Sequence, residues 1–316
     1  MKLFKRLIAF VLSFALLLQS YPLSAFAVKN DSASQSAKSA PSASALTASD
    51  ILSEETSLRT ETVRQFQLVN DTALAVSFSF PVAYRDEAGA YQIIDNTLLL
   101  NSETGVYENK AGCISVQLPE KLGNDSTVSY TSGKYTVFFT PLDTNAAEAD
   151  LLETEGYEVG SLESAVYPEH LTEALQYPGA YENADLTYTV DSDILKEEIV
   201  VNSPAEAYRY TFLCSFGSLT PKLTDSGNIE LLDESGSAVL EIPAGSMTDA
   251  AGNYSDAVTY ELTEGDNGTY LLMVTADAEW MNAAERVFPI TIDPTIKTSG
   301  YYAGLPLKTL MAMRRF

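Results

Sequence analysis

One histidine, His170, and two cysteines, Cys113 and Cys214, are the only imidazole and thiol groups in this chain of 316 residues. Any Ser-His-Asp or Cys-His mechanism would have to run through His170. That residue lies in an acidic stretch with helical composition, away from strand-end loops, and neither cysteine sits in a nucleophile motif, so His170 reads as a solvated surface histidine. A zinc site would need Cys113, Cys214 and His170 to converge from three distant places and would still lack a fourth ligand. Carboxylates are plentiful, and a glycosidase needs two of them, one shifted upward by burial. The closest pairs are Glu197-Glu198, Asp191 with Asp193, and Asp277 with Glu279. Each has a plainer reading. Adjacent acids in a strand point to opposite faces, and Asp277 suits the N-cap of a short helix over 278–285. Trp280, the single tryptophan, could stack on a sugar but reads as packing that helix onto a sheet. Asp249-Ala250-Ala251-Gly252-Asn253 and Asp191-Ser192-Asp193 are oxygen-rich in the manner of calcium loops. They lack the spaced acids and terminal bidentate Glu of an EF-hand, and ordinary turns account for them. Singly scattered glycines exclude a phosphate-cradling loop. The expectation is no catalytic, cofactor-binding or metal-ligating residue, and no enzyme.

The elements that would position these groups are strands. Between residues 181 and 296 about eight runs alternate apolar and polar residues, bounded by Gly, Pro, Asn or Asp. Leu186, Tyr188 and Val190 share one face against Thr187 and Thr189, and Tyr208, Tyr210, Phe212 and Cys214 repeat the pattern. Further runs are 229–232, 238–242, 258–262, 269–275 and 287–292. An earlier set covers 66–140, with Leu74, Val76, Phe78 and Phe80 on one face until Pro81 removes a ladder donor. Between 143 and 178 the pattern changes. Ala146, Ala147, Ala149, Leu151 and Leu152 favour helix, and Pro168 opens a second short one that Pro178-Gly179 stops. The predicted fold class is therefore mainly β, with two antiparallel β-sandwich-like domains joined by a short helical connector. The expected division is a signal peptide over 1–27, a Ser/Ala-rich flexible linker over 28–57, a first β-domain over 58–140, the connector over 141–180, a second β-domain over 181–296 and an atypical tail over 297–316. The predicted cores include Val76, Phe78, Tyr188, Tyr210, Phe212, Leu240, Ile242, Ile290 and Ile292. The strand of Pro289 should be an edge or an entry strand, since Pro cannot donate to a ladder.

Composition sets the compartment and the partners. Lys2, Lys5 and Arg6 precede the apolar run 7–18, and Ala25-Phe26-Ala27 offers a small-x-small cleavage site, which together read as a secretory signal. The run is too short to span a bilayer. The net charge of −24 repels phosphate backbones and anionic lipid, which predicts no nucleic-acid partner and no membrane partner after signal cleavage. A calcium ion or a cell-wall glycan would remain compatible with such a surface. Cys113 and Cys214 are expected as two buried thiols, one per domain, rather than as a bridge.

Several word-like pieces carry a family resemblance. They are Lys196-Glu197-Glu198-Ile199-Val200-Val201-Asn202-Ser203-Pro204, Gly217-Ser218-Leu219-Thr220-Pro221, and Asp277-Ala278-Glu279-Trp280 running on to Arg286-Val287-Phe288-Pro289-Ile290-Thr291-Ile292-Asp293-Pro294-Thr295. With Tyr84-Arg85-Asp86-Glu87 and Ile94-Asp95-Asn96-Thr97-Leu98 upstream, the order of the words resembles the N-terminal region of secreted, wall-associated, RHS-repeat proteins of Gram-positive bacteria, the polymorphic-toxin type with DNRLRE domains, cut before the repeats. The resemblance implies a secreted, cell-wall-associated, non-catalytic structural module. An extracellular carbohydrate-binding or adhesive module and a carboxylate-pair glycoside hydrolase are the alternatives. After Asp293 no acid follows, while Lys308, Arg314 and Arg315 appear, so 299–316 reads as a frayed or out-of-frame tail, with an amphipathic helix from Pro306 as the alternative.

Overall fold

The alternating runs become paired strands in the computed structural model, which describes residues 46–123, 125–154 and 156–299 together with the backbone of 310–315. The protein is mainly β, as the alternation predicts, and its pairings are antiparallel. The described residues fall into two units, one of 96–154 with 172–299, the other of 46–95, 156–171 and 310–315. The expected signal peptide, and the linker up to residue 45, lie outside the described residues.

The larger unit contains two sheets over one core. In the first, the strands Val258–Glu264, Thr269–Ala276, Tyr208–Ser215, Tyr135–Pro141, Val128–Ser132, Ile114–Pro119, Val106–Ala111 and Asp95–Asn101 lie side by side in that order. In the second, Asp150–Leu152, Thr172–Tyr181, Ala184–Asp191 and Ile194–Val201 are neighbours. The far edge of Ile194–Val201 takes two strands end to end, Ile290–Asp293 and Thr295–Thr298. Thr295–Thr298 leads on to Ala238–Ile242, Ile229–Leu232 and Thr220–Leu223, while Ile290–Asp293 leads to Ser246–Asp249 and Tyr254–Ser255. Tyr188, Tyr210, Phe212, Leu240, Ile242, Ile290 and Ile292 are buried in the shared core, each contributing about 1.5–3 kcal/mol of burial. Tyr130 crosses between the sheets and donates from its hydroxyl to the Asp193 carbonyl at 2.7 Å.

Three expectations change here. The two sets of strands do not form separate successive sandwiches, because Tyr135–Pro141 pairs with Tyr208–Ser215, placing Phe139 opposite Cys214 and Pro141 opposite Phe212. The helical connector is largely strand. Ala147–Glu148 and Asp150–Leu152 pair with Lys121–Leu122 and Thr172–Tyr181, with Leu151 opposite Leu175. Helix propensity is worth tenths of a kcal/mol per residue, and a ladder with buried partners outweighs it. One short helix, Leu162–Val166, forms in this stretch, capped by Ser161, whose hydroxyl accepts from the Ser164 N–H at 3.1 Å. Third, Ile290–Asp293 is paired on both sides, with Ile194–Val201 and Ser246–Asp249, so it is no edge strand. Pro289 stands just before it, where no ladder donor is required.

In the smaller unit Ile51–Glu54, Val63–Leu68, Thr72–Ser77 and Leu310–Arg315 form one sheet. Val76 and Phe78 are buried there as expected. The guanidinium of buried Arg64 pairs with Glu54 at 2.7 Å and donates to the Val166 carbonyl, and Arg59 reaches Glu54 at 2.8 Å. Burial alone would raise the Glu54 carboxyl, but the two guanidinium groups outweigh it and hold the group below its ordinary value. The expected tail is likewise corrected, since Leu310–Arg315 pairs along the whole of Thr72–Ser77, with Met311 opposite Val76. Neither a frayed end nor a helix describes those six residues.

A close approach tests the packing. At Gly245 an added Cβ would stand 2.6 Å from Val258 Cγ1 and 3.0 Å from Tyr260 Oη. Gly245→Ala is expected to cost about 1–3 kcal/mol, the range for overpacking, read from urea denaturation midpoints. An unchanged midpoint would show that this loop yields freely.

Candidate functional site

Among the described residues, Glu197 is the acid that burial displaces furthest from its ordinary value. The strand Ile194–Val201 is rich in β-branched residues, and its period of two puts Leu195, Glu197, Ile199 and Val201 on the face that meets the core. Glu197 is therefore set among apolar side chains, 9% exposed. Tyr188 lies directly across from it on one side, and Leu175 across from Tyr188. On the other side the register is bracketed by Ile199 opposite Ile292 and Lys196 opposite Thr295. Two residues intervene on each strand, so Glu198 faces Asp293 and Glu197 faces Pro294. Proline has no N–H to offer, which is why the partner chain breaks there into two strands.

A cavity of about 20 Å³ opens at this point, lined in part by Tyr188, Leu195, Glu197, Phe212, Pro294 and Thr295. It has room for about one water, which needs roughly 10–15 Å³. Burial is the main force on the Glu197 carboxyl. The neighbouring Tyr188 hydroxyl moderates it and Asp293 adds to it, and the carboxyl is pushed up to about 8. The hydroxyls of Tyr181, Tyr188 and Tyr260 are buried without a completed hydrogen bond. All three are raised, mainly by burial and secondarily by nearby carboxylates that include Glu197. The opposite face of the same strand is ionic. Lys196 Nζ lies 2.7 Å from Glu198 Oε1 and 3.3 Å from Asp293 Oδ2. Burial would lower the lysine, but the two carboxylates outweigh it and hold it above its ordinary value. The Thr295 hydroxyl donates to Asp293 Oδ1 at 2.6 Å.

The other sequence candidates are dispersed. Glu197 and Glu198 point to opposite faces, as strand geometry requires, and cannot flank one glycosidic bond. Asp191 accepts from the Thr172 hydroxyl at 2.7 Å and is raised by burial, while Asp193 is buried and lends its carbonyl to Tyr130. Asp277 caps the helix Ala278–Met281, accepting from the Trp280 N–H at 2.7 Å. That helix is shorter than the expected 278–285. Trp280 packs against the core with the Arg286 guanidinium 4.4 Å from its ring centre. The Asp249 loop spends its carboxylate on hydrogen bonds. Oδ1 accepts from the Ala251 and Asn253 main chain, both at 2.9 Å, and Oδ2 from the Asn253 side chain at 2.9 Å and the Val287 N–H at 3.2 Å. Little is left for a calcium ion. Cys214 is buried and burial raises its thiol; Cys113 is half-buried in the turn between Val106–Ala111 and Ile114–Pro119, and no disulfide joins the two. His170 is exposed. Among the described residues no group of three or more His, Cys, Asp and Glu converges as for a metal.

Sequence reasoning listed Glu197 only for its neighbour Glu198. The signal that singles it out was present, since it shares the alternation of Leu195 and Ile199. Tyr188 faces it across the hairpin formed by Ala184–Asp191 and Ile194–Val201, but Pro294 comes from about a hundred residues further on, and no spacing announces it.

No family model matches this chain. It is similar to the tRNA nuclease WapA of Bacillus subtilis strain 168, at 32% identity over 188 residues, which is 56% of this chain and 7% of that protein. The tRNA3(Ser)-specific nuclease WapA of Bacillus spizizenii matches to the same extent. The tRNA(Glu)-specific nuclease WapA of Bacillus subtilis subsp. natto is 36% identical over 131 residues, 39% of this chain and 6% of that protein. The chain thus matches only about a fifteenth of the length of these curated relatives. These names run against four expectations. The relatives are named as tRNA nucleases and not as wall-associated, DNRLRE-bearing regions; their names are those of enzymes, not of a non-catalytic structural module or its glycan-directed alternatives; and the target named in them is a nucleic acid, which the charge argument did not foresee. The net charge of −24 describes this chain alone and is silent about the more than nine-tenths of those relatives that the match leaves uncovered.

Proposed function

We propose that this chain works within an exported protein that cleaves tRNA. The observation that carries the reading is the 32–36% identity with three proteins named as tRNA nucleases. Two of those names give different tRNA targets, yet the same chain matches both. The choice of tRNA therefore belongs to parts of such a protein outside the matched stretch, in keeping with the net charge of −24 here and its repulsion of phosphates. Export is supported by the leader-like composition of residues 1–27. No helix among the described residues is long and apolar enough to cross a membrane, which fits an extracellular place.

The test is a cleavage assay on the protein expressed from its complete reading frame, incubated with total tRNA labelled at the 3′ end and resolved on a denaturing gel. Discrete fragments are expected. An intact pool under varied pH and divalent-cation conditions overturns the reading. A chimera carrying the matched stretch of the Bacillus subtilis protein should cut the same tRNA, and a changed target would refute the division of labour.

A further inference from the structure

The chain break at Pro294 brings a second chemistry into view. We propose that the Asp293–Pro294 peptide bond is a self-cleavage site, with the Asp293 carboxylate as nucleophile and Glu197 as the acid that protonates the departing proline nitrogen. The proposal stands on placement and is independent of tRNA cleavage. The register puts Asp293 and Glu198 on one face of the sheet and Pro294 and Glu197 on the other, with Glu197 opposite Pro294, so the two carboxyl groups belong to opposite faces of the strand segment that carries this bond. Lys196 and the Thr295 hydroxyl hold the Asp293 carboxylate beside that amide, at 3.3 and 2.6 Å. Pro294 and Glu197 line the same cavity, whose volume of about 20 Å³ suits the one water that hydrolysis consumes.

The step balances within the chain. An Asp293 side-chain oxygen bonds to the carbonyl carbon of its own residue, closing a five-membered cyclic anhydride. The bond from that carbon to the Pro294 nitrogen breaks, its electron pair stays on nitrogen, and nitrogen takes the Glu197 proton to leave as a secondary amine. One water then opens the anhydride, leaving Asp293 as a C-terminal residue with two carboxyl groups, and a proton returns to Glu197. The net reaction is one peptide bond and one water giving one acid and one amine. Proline favours it, because a tertiary amide nitrogen is a more basic leaving group than a secondary one. Holding nucleophile, acid and bond in one place replaces encounter by proximity. The apolar walls favour the protonated form of Glu197 while Lys196 Nζ lies 3.3 Å from Asp293 Oδ2, the division of labour by which two carboxyls serve as acid and nucleophile. The other titratable groups coupled to Glu197 are Tyr181, Tyr188, Cys214 and Tyr260, all raised and so neutral across the range tested.

Both products remain paired to Ile194–Val201, Ile290–Asp293 on one side of the cut and Thr295–Thr298 on the other. Cleavage must therefore be read under denaturing conditions. The purified chain is incubated between pH 5 and 9 and analysed by denaturing intact mass for a peptide beginning at Pro294. The expected result is a time-dependent Pro294 terminus whose rate falls as pH rises through about 8. Glu197→Gln should slow it by about a hundredfold or more, the share of a general acid. Asp293→Asn should abolish it, and Asp293→Glu, which keeps the charge but needs a six-membered ring, should cut slowly. Circular dichroism of each variant confirms that the sheet persists. The proposal is overturned if the wild-type chain yields no Pro294 terminus, if Asp293→Asn cuts at the wild-type rate, or if the chain in urea cuts as fast as the folded chain.

Discussion

Raising the pH from 5 to 9 is expected to remove roughly 4 kcal/mol of stability through Glu197 alone, the part of its upward shift, at 1.36 kcal/mol per unit, that falls within that interval. The sign follows from which state holds the proton. In the unfolded chain the carboxyl loses it near its ordinary value of 4.5, whereas in the folded core it keeps it up to about 8. Between these values the folded state binds more protons, so its advantage is complete below about 4.5, shrinks as pH rises, and is gone above about 8. Glu197→Gln keeps the shape and cannot ionise. The variant should be comparable to wild type at pH 5 and more stable by several kcal/mol at pH 9. Denaturant midpoints for both proteins at pH 5, 7 and 9 measure this. Parallel pH profiles for wild type and Glu197→Gln would show that the group is not carried neutral in the core.

Asp249→Ala is the second large effect, at about 3–5 kcal/mol, the range for leaving buried partners of a charge without it. Asp249 is 1% exposed, and its two oxygens collect the main-chain N–H groups of Ala251, Asn253 and Val287, the Asn253 side chain, and Arg286 Nη1 at 3.5 Å. These bonds tie the turn after Ser246–Asp249 to the segment leading into Ile290–Asp293. Burial would raise the carboxyl, but the hydrogen bonds from Asn253, Val287 and Ala251 outweigh it and the group lies below its ordinary 3.8. Its contribution is therefore present above that value and is lost as pH falls through the lower folded one, the reverse of Glu197. Asp277→Ala removes only a helix cap and should cost about 1 kcal/mol. Urea denaturation of the two variants at pH 6 provides the comparison, and equal losses would mean that the Asp249 network is no more than a cap.

Which residues face inward was legible in the amino-acid sequence, because a strand's side chains alternate with a period that depends on nothing distant. Tyr188, Tyr210, Phe212, Leu240 and Ile292 are buried for that reason, and the same alternation already placed Glu197 with Leu195 and Ile199. The Asp277 cap was legible too, since a cap joins residues three apart. What alternation does not encode is the partner. Tyr135–Pro141 lies beside Tyr208–Ser215, and residues with helical propensity at 150–152 lie beside Thr172–Tyr181, because burying whole faces and satisfying whole ladders outweighs local preference. The candidate site lay beyond reach for the same reason. Tyr188, Glu197 and Pro294 are unremarkable as three residues in a chain, and only pairing across about a hundred residues sets a buried acid against a proline peptide bond. Chain entropy opposes such long closures, and the common hydrophobic core that repays them exists only in the tertiary structure.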